Sequence, residues 1–355
     1  MASFNIHTEV PALNRYGSAV IYVLQSFFPK SSMLENLRQK NTLMIAGTLR
    51  KRLAKKGLTQ GGTIEVDRRE NLSKEDFAKY YLNKHLPVIF SNQAKDWPCT
   101  SKWNLEFLKD RMANVPISMY ESAGLIEKEF DQTHGVQEPI VIEETTGKNL
   151  AESLQAGSNK YLRFSSIMEI ETYLLDDLDH TWLRKMRHCF MGVGYQTFIG
   201  AAKRVTPIHA GSTAFFYVMA DGEKKWTLFS ASSSALLNPT PSGRVYNFTD
   251  VDINNPDLTK YPGFDLLTRY HCHLKKGDIL FVPTWTWHEV ENLTPSWGLS
   301  YRITSIRGFL RYPQYVMVRI FLAKPSFFKM LWASVVSRRT TKDETSLITP
   351  SMIKD

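Results

Sequence analysis

TPIHAGSTAFFY, residues 206–217, places an imidazole just ahead of an aromatic strand and then, two positions on, no side chain at all. A carboxylate at position 211 would complete a histidine–carboxylate pair of the kind that holds iron, but the residue is Gly211. Either the site is dead or the missing ligand is its defining feature. A second histidine, His288, ends a strand and turn in GDILFVPTWTWHEV (277–290). A lone strand histidine is usually structural. Two of them in one β-rich domain say more, because strands distant in sequence converge inside a small barrel and can present ligands to one ion.

The surrounding chain supports such a barrel. Short apolar runs recur between residues 161 and 305, among them CFMGVGYQTFIG, TAFFYVMA, KKWTLFS, DILFVP, HEVENL and WGLSYRIT. Turn residues divide them at Asp221-Gly222, Pro239 to Gly243, Lys276-Gly277-Asp278 and Thr294-Pro295. Many short strands with such punctuation predict a sandwich or barrel. Upstream, Ser73 caps an acidic first turn and Pro87 to Phe90 reads as a strand, so helices flank a mainly β architecture. The spacing predicts three units: a helical extension over 1–70, a β-rich domain over 71–312 and a helical tail over 313–355. In the extension, Leu34, Leu37, Leu43, Met44, Leu49 and Leu53 form an amphipathic pattern among basic residues. In the tail, Phe327, Phe328, Leu331, Trp332 and Val335 fall on one stripe, suited to core or dimer packing or to a membrane surface.

The net charge is +9, which favours an acidic partner. Basic runs lie at RKRLAKK (50–56) and SRRTTK (337–342). No zinc knuckle, RNP-like signature or helix-turn-helix pattern accompanies them, so nucleic acid is not expected. Three cysteines, far apart, form no disulfide framework, and no apolar run reaches the roughly 18 residues of a spanning helix. A cytoplasmic protein is expected, with peripheral membrane contact through the basic amphipathic ends and homodimer formation left open. His271 and His273 share one strand face, where a cross-strand or surface role is expected rather than zinc.

In order, TPIHAG, GEKKWTLF (222–229) and GDILFVPTWTWHEV, preceded by LPVIFSNQAKDWPCTSKWNLEFLKD, resemble the JmjC and cupin-like family of Fe(II)/2-oxoglutarate oxygenases over about residues 72–305. The resemblance implies a double-stranded β-helix, or jelly roll, with Fe(II) held by His209 and His288. It places Lys224 on the distal carboxylate of 2-oxoglutarate, with Thr206 assisting. A lysine inside a barrel also needs an anion on physical grounds, to offset its desolvation. Two departures alter the grip on the cosubstrate. Phe215 stands where the family often has asparagine, and Arg302 where it has a further asparagine, offering a second cation or a surface residue.

Gly211 is the third departure. Losing the carboxylate of the two-histidine, one-carboxylate set removes a charge and opens a coordination position. Chloride or bromide could fill it, as in the iron-dependent halogenases that this variant resembles. The resulting expectation is a halogenase using Fe(II), 2-oxoglutarate, O2 and halide, with His209, Gly211 and His288 at the reacting centre and a radical Fe(IV)-oxo mechanism. The substrate would be a small or carrier-attached molecule. Two alternatives stand beside it. A hydroxylase could survive with water as third ligand or a substitute carboxylate from Asp221, Glu223, Asp250, Asp252 or Glu289. A non-catalytic binding module is the other.

Overall fold

Because successive strand residues face opposite ways, a run such as AFFYVM can be apolar throughout only if both of its faces are covered. The computed structural model of the chain, which describes residues 10–120, 142–165, 167–188, 193–239, 241, 246–304 and 310–322, covers both. Its strands are β1 (Thr63–Glu65), β2 (Arg68–Arg69), β3 (Val88–Phe90), β4 (Pro116–Tyr120), β5 (Ile142–Thr146), β6 (Tyr161–Ser165), β7 (Val193–Gly200), β8 (Val205–Gly211), β9 (Ala214–Asp221), β10 (Glu223–Phe229), β11 (Tyr246–Phe248), β12 (Arg269–Lys275), β13 (Ile279–Val282), β14 (Trp287–Asn292) and β15 (Ser296–Ile303). One sheet runs β1-β12-β10-β14-β8-β11, the other β2-β3-β13-β9-β15-β7-β6-β4-β5.

From β7 onward the chain passes repeatedly between the sheets. Strands β8, β10, β12 and β14 lie in the first, and β7, β9, β13 and β15 in the second, each set joined by antiparallel pairs. This is the double-stranded β-helix expected from the motif order. In β9, Phe215 and Tyr217 face the cavity between the sheets. Phe216 turns outward against Phe77, Phe90 and Trp182, at centroid separations of 5.8, 6.0 and 5.5 Å.

The crossings depend on particular turns. At Gly222, between β9 and β10, φ is +80°, and a Cβ would sit 2.3 Å from the Pro295 carbonyl oxygen. Only glycine fits there. In the β12–β13 turn, Asp278 accepts from the amides of Lys275 and Asn92 and from Arg68.

Helices α1 (Ala12–Phe27) and α2 (Ser32–Ala54) pack side by side on the outside of the six-stranded sheet. Ser31 caps α2 by accepting from the Leu34 amide, Glu35 occupies its first turn, and Lys51 and Arg52 its last, each matching the helix dipole. Leu34, Ile45, Leu49 and Leu53 turn inward, and all but Leu34 join a cluster with Phe229, Leu236 and Trp287. Leu37, Leu43 and Met44, read from the sequence as members of that apolar pattern, face solvent instead. With 3.6 residues per turn, Leu43 and Met44 are carried away from the face of Leu49 and Leu53, and Leu37 sits at the margin of the covered surface. Past Gly57 the chain is extended, and β1 and β2 join the two sheets ahead of residue 71.

His271 and His273 lie on the outer side of β12, where His273 meets the Glu223 carboxylate at 2.6 Å. The apolar stripe around Phe327 to Val335, and Cys189, fall outside the described residues. Within them, no helix is long and apolar enough to cross a membrane.

Candidate active site

β8 and β14 are neighbours, and their register sets His209 directly opposite His288. The pairing shifts between His288 and Val290, an irregularity of the sort that re-aims side chains. The two rings lie 4.2 Å apart, centroid to centroid, and both residues are buried. Trp287, the residue before His288, points the other way into the cluster beneath α2. Trp285 packs on Tyr315 at 4.8 Å and so fills core.

Each imidazole is held the same way. Nδ1 of His209 bonds the Pro207 carbonyl at 2.8 Å, and Nδ1 of His288 the Thr286 carbonyl at 2.9 Å. A carbonyl can only accept, so Nδ1 carries the proton and Nε2 the lone pair. That tautomer is the one that ligates metal. Burial lowers both pKa values. His209 falls well below its ordinary value, with His288 as a secondary cause, and His288 falls to about 4. Both rings are therefore neutral at pH 7, which metal binding requires.

The pair opens on a cavity of about 470 Å³, lined in part by Tyr161, Thr206, Gly211, Phe215, Tyr246 and Arg302. Trp226 stacks on His288 at 5.6 Å and Phe215 meets it edge-on at 5.6 Å. Tyr246 and Phe248 enclose His209 at 5.4 and 5.9 Å. Such a wall keeps the centre dry and strengthens every electrostatic term inside it.

Lys224 is fully buried, and its partners are neutral oxygens: Asn292 Oδ1 at 2.6 Å and the Tyr161 hydroxyl at 3.3 Å. Burial lowers its pKa. It reaches the cavity through the cavity-lining Tyr161 and Tyr217, whose ring centres lie 5.2 and 5.9 Å from Nζ. Thr206 also donates to the Tyr161 hydroxyl, at 3.4 Å. The Tyr217 hydroxyl and the Trp226 indole N–H, two further buried donors on the wall, have no partner among the described residues. A buried cation and orphaned donors around one cavity are chemically suited to an anion rich in oxygen.

Arg302, which the sequence left between cation and surface residue, lies in the wall. Nε donates to Thr213 Oγ1 at 2.9 Å, and Nη1 to Gln196 Oε1 and the Tyr246 hydroxyl, both at 2.6 Å. None of these partners is charged. A Cβ built on Gly211 would lie 3.8 Å from Arg302 Nη2 and 3.3 Å from the edge of the Tyr246 ring. The guanidinium thus sits beside the position that the missing ligand would occupy.

No carboxylate of the described residues takes that position. Asp221 pairs with Lys276, Glu223 with His273, and Asp250 with Lys260 and Tyr261. Asp252 closes a turn on the Asn254 and Asn255 amides. Glu289, on the opposite face of β14 from His288, is raised to about 7, mainly by burial. No group of three or more His, Cys, Asp or Glu side chains among the described residues could hold a metal ion.

Sequence reading missed Tyr161, Asn292, Gln196 and Tyr246. One signal for Tyr161 exists only in register: it pairs with Gly200, where a Cβ would lie 2.3 Å from the tyrosine ring.

A family model described as a cupin-like domain matches residues 74–306. Lysine-specific demethylase 8 of Xenopus tropicalis is 26% identical over 235 residues, 64% of this chain and 50% of that protein. Lysine-specific demethylase JMJ30 of Arabidopsis thaliana is 27% identical over 248 residues, 66% and 54% of the two chains. tRNA wybutosine-synthesizing protein 5 of Homo sapiens is 24% identical over 252 residues, 65% and 75%. The chain spans about half the length of the two demethylases.

Proposed function

Since the chain belongs to the cupin-like, JmjC-type domain family, whose members generally use Fe(II), 2-oxoglutarate and O2, we propose that it is an oxidoreductase of the hydroxylase kind with a two-histidine metal site. His209 and His288 hold the ion through Nε2. Tyr161 and Thr206, backed by Lys224, take the distal carboxylate of the cosubstrate. When bound, the metal and 2-oxoglutarate would supply electrons to activate O2, the oxidant that removes a hydrogen atom from a substrate carbon.

The chain's own residues do the rest. The two backbone carbonyls fix the imidazole tautomers. Trp226, Phe215 and Tyr246 exclude water. With no described carboxylate in reach, water or an exogenous anion completes the coordination. Lys224 is the observation that carries this reading. A fully buried ammonium with only neutral partners beside two metal-competent imidazoles is costly unless an anion joins it.

A second reading, halogenation, is favoured by one observation: Arg302 Nη2 lies 3.8 Å from where a side chain at 211 would begin. A halide there would lie beside the Arg302 guanidinium. The expectation of a halogenase drawn from Gly211 thus becomes the narrower of two outcomes. The relatives favour hydroxylation.

Anaerobic titration with Fe(II) and 2-oxoglutarate tests the common part, through a visible charge-transfer band that needs both. A binding module gives no such band. Repeating it with chloride and bromide separates the outcomes, because only a site that coordinates halide shifts its band. Product masses from a substrate panel then distinguish an added hydroxyl from an added halogen.

A further inference from the structure

Residues 10–57, which hold α1 and α2, carry nine lysines and arginines and one acidic residue, Glu35, so this segment accounts for +8 of the chain's net +9. The lone acid is itself paired with Arg38. The same hairpin holds ten of the sixteen exposed large apolar side chains of the described residues. Surface apolar residues scattered singly need no explanation; a concentration of them does.

Their arrangement is regular. On α1, Leu13, Tyr16, Val20, Leu24 and Phe27 recur at intervals of three and four, and Leu13 is 83% exposed. They form one stripe opposite the buried Ile21 and Tyr22. On α2 the outward stripe reads Met33, Leu37, Lys40, Met44, Lys51 and Lys55, opposite the buried Leu49 and Leu53. It is apolar toward its start and cationic toward its end. Lys40, Lys51 and Lys55 form no ion pair among the described residues. Since the buried faces of both helices are turned toward the protein, both stripes are turned away from it.

We propose that the α1–α2 hairpin docks on the anionic surface of a lipid bilayer, its apolar stripe among the acyl boundary and its lysines among the headgroups. An acidic protein or a nucleic acid would satisfy the lysines but gives no use for Leu13, Val20 and Leu24. A neutral apolar partner leaves the cations unanswered. A bilayer with anionic headgroups meets both demands with one surface. The helices lie in the interface without spanning it, in keeping with the lack of a crossing helix among the described residues. The inference does not depend on the reading of the metal site.

Sedimentation of the full chain with vesicles tests it, using phosphatidylcholine with about 30% phosphatidylserine against phosphatidylcholine alone. The chain should pellet with the anionic vesicles and be released at about 0.5 M salt. Val20→Asp with Leu24→Asp should abolish binding. Lys51→Glu with Lys55→Glu, by removing two cations, should weaken it by at least roughly 25-fold. All four positions are exposed, so circular dichroism should remain that of the parent. Absence of binding by the parent chain, equal binding to both vesicle types, or binding that survives Val20→Asp with Leu24→Asp would overturn the proposal. So would a concentration-dependent dimer, seen by light scattering, that is broken by Val20→Asp with Leu24→Asp in a chain that ignores vesicles. That result would assign the stripe to a second copy.

Discussion

Lys224→Met should leave the cosubstrate-free protein about as stable as the parent and unable to hold a dicarboxylate. The ammonium is fully buried, donates only to Asn292 and Tyr161, and has its pKa lowered first of all by burial. Replacing buried charge with an apolar group of similar volume is neutral or stabilising by about 1–4 kcal/mol. Against that gain, Asn292 Oδ1 loses its donor, at about 1–3 kcal/mol. The Tyr161 oxygen keeps a donor in Thr206. The two terms nearly cancel, leaving about −3 to +3 kcal/mol in the apo protein, centred near zero, where an ordinary core substitution loses stability.

Binding goes the other way. Removing one partner of a buried charge pair costs about 2–5 kcal/mol, or roughly 30- to 5,000-fold in affinity. Urea denaturation with and without 2-oxoglutarate reads both effects. The pH dependence gives a third signature. Because the folded pKa lies below the ordinary 10.5, the unfolded chain binds the extra proton between the two values. Apo stability of the parent should therefore rise with pH across that window, and the contribution is lost as pH falls through it. The methionine variant should lack that slope. A variant destabilised by more than about 3 kcal/mol that still gained stability from 2-oxoglutarate would refute the assignment of the lysine.

Gly211→Asp should fold with a loss of at most about 1 kcal/mol, because the Tyr246 ring edge, 3.3 Å from the new Cβ, needs to yield only slightly. Metal titration should show tighter Fe(II) binding and no halide response; an unchanged halide response would place the halide elsewhere. Arg302→Gln should diminish the halide response while 2-oxoglutarate still binds, read from the same anaerobic spectra. Apo stability should fall as pH drops from 6.5 through about 4, since His288 is buried neutral and the unfolded chain takes up the proton. That is about 3 kcal/mol from His288 alone, best measured by urea denaturation in a Glu289→Gln background. There the opposing effect of Glu289, raised to about 7, is removed. Gly222→Ala should cost about 3 kcal/mol in the same assay, because φ is +80° and the Pro295 carbonyl blocks a Cβ.

The jelly roll was legible because its strands are short, apolar and punctuated by residues with one conformational use. Gly222 and Gly277 mark two sheet crossings, and both adopt positive φ. The histidine pair was legible from its motifs, although the register that sets His209 opposite His288 was not. Tyr161 could not be found that way. It lies 63 residues from Lys224, on a strand with no motif, and is defined only by the space left at Gly200. The outward stripe of α2 was misread for a related reason. A run of leucines at helical spacing predicts one apolar face, yet Leu37, one turn from the buried Leu34, is exposed because the covered surface ends between them. Periodicity identifies the helix; the partner surface decides which stripe is buried.

The three departures from the family pattern acquire a common sense once their positions are known. On the proposed reading, Gly211 removes a negative charge from beside the two histidines. Arg302 adds a positive one beside the gap, held by three neutral acceptors that leave its charge uncompensated. Phe215 puts an aromatic edge 5.6 Å from His288 where a polar amide is common. On the proposed reading, one dianionic cosubstrate faces a divalent metal, Lys224 and Arg302, so the pocket retains two positive charges after the cosubstrate has bound. Uncompensated charge in a dry site is expensive. The cheapest remedy is a further anion, on the metal, against Arg302, or bridging both. Whether that anion is a halide or an acidic group of the substrate then decides between the two chemistries. Arg302, more than the glycine alone, is the residue through which the chain would make that choice.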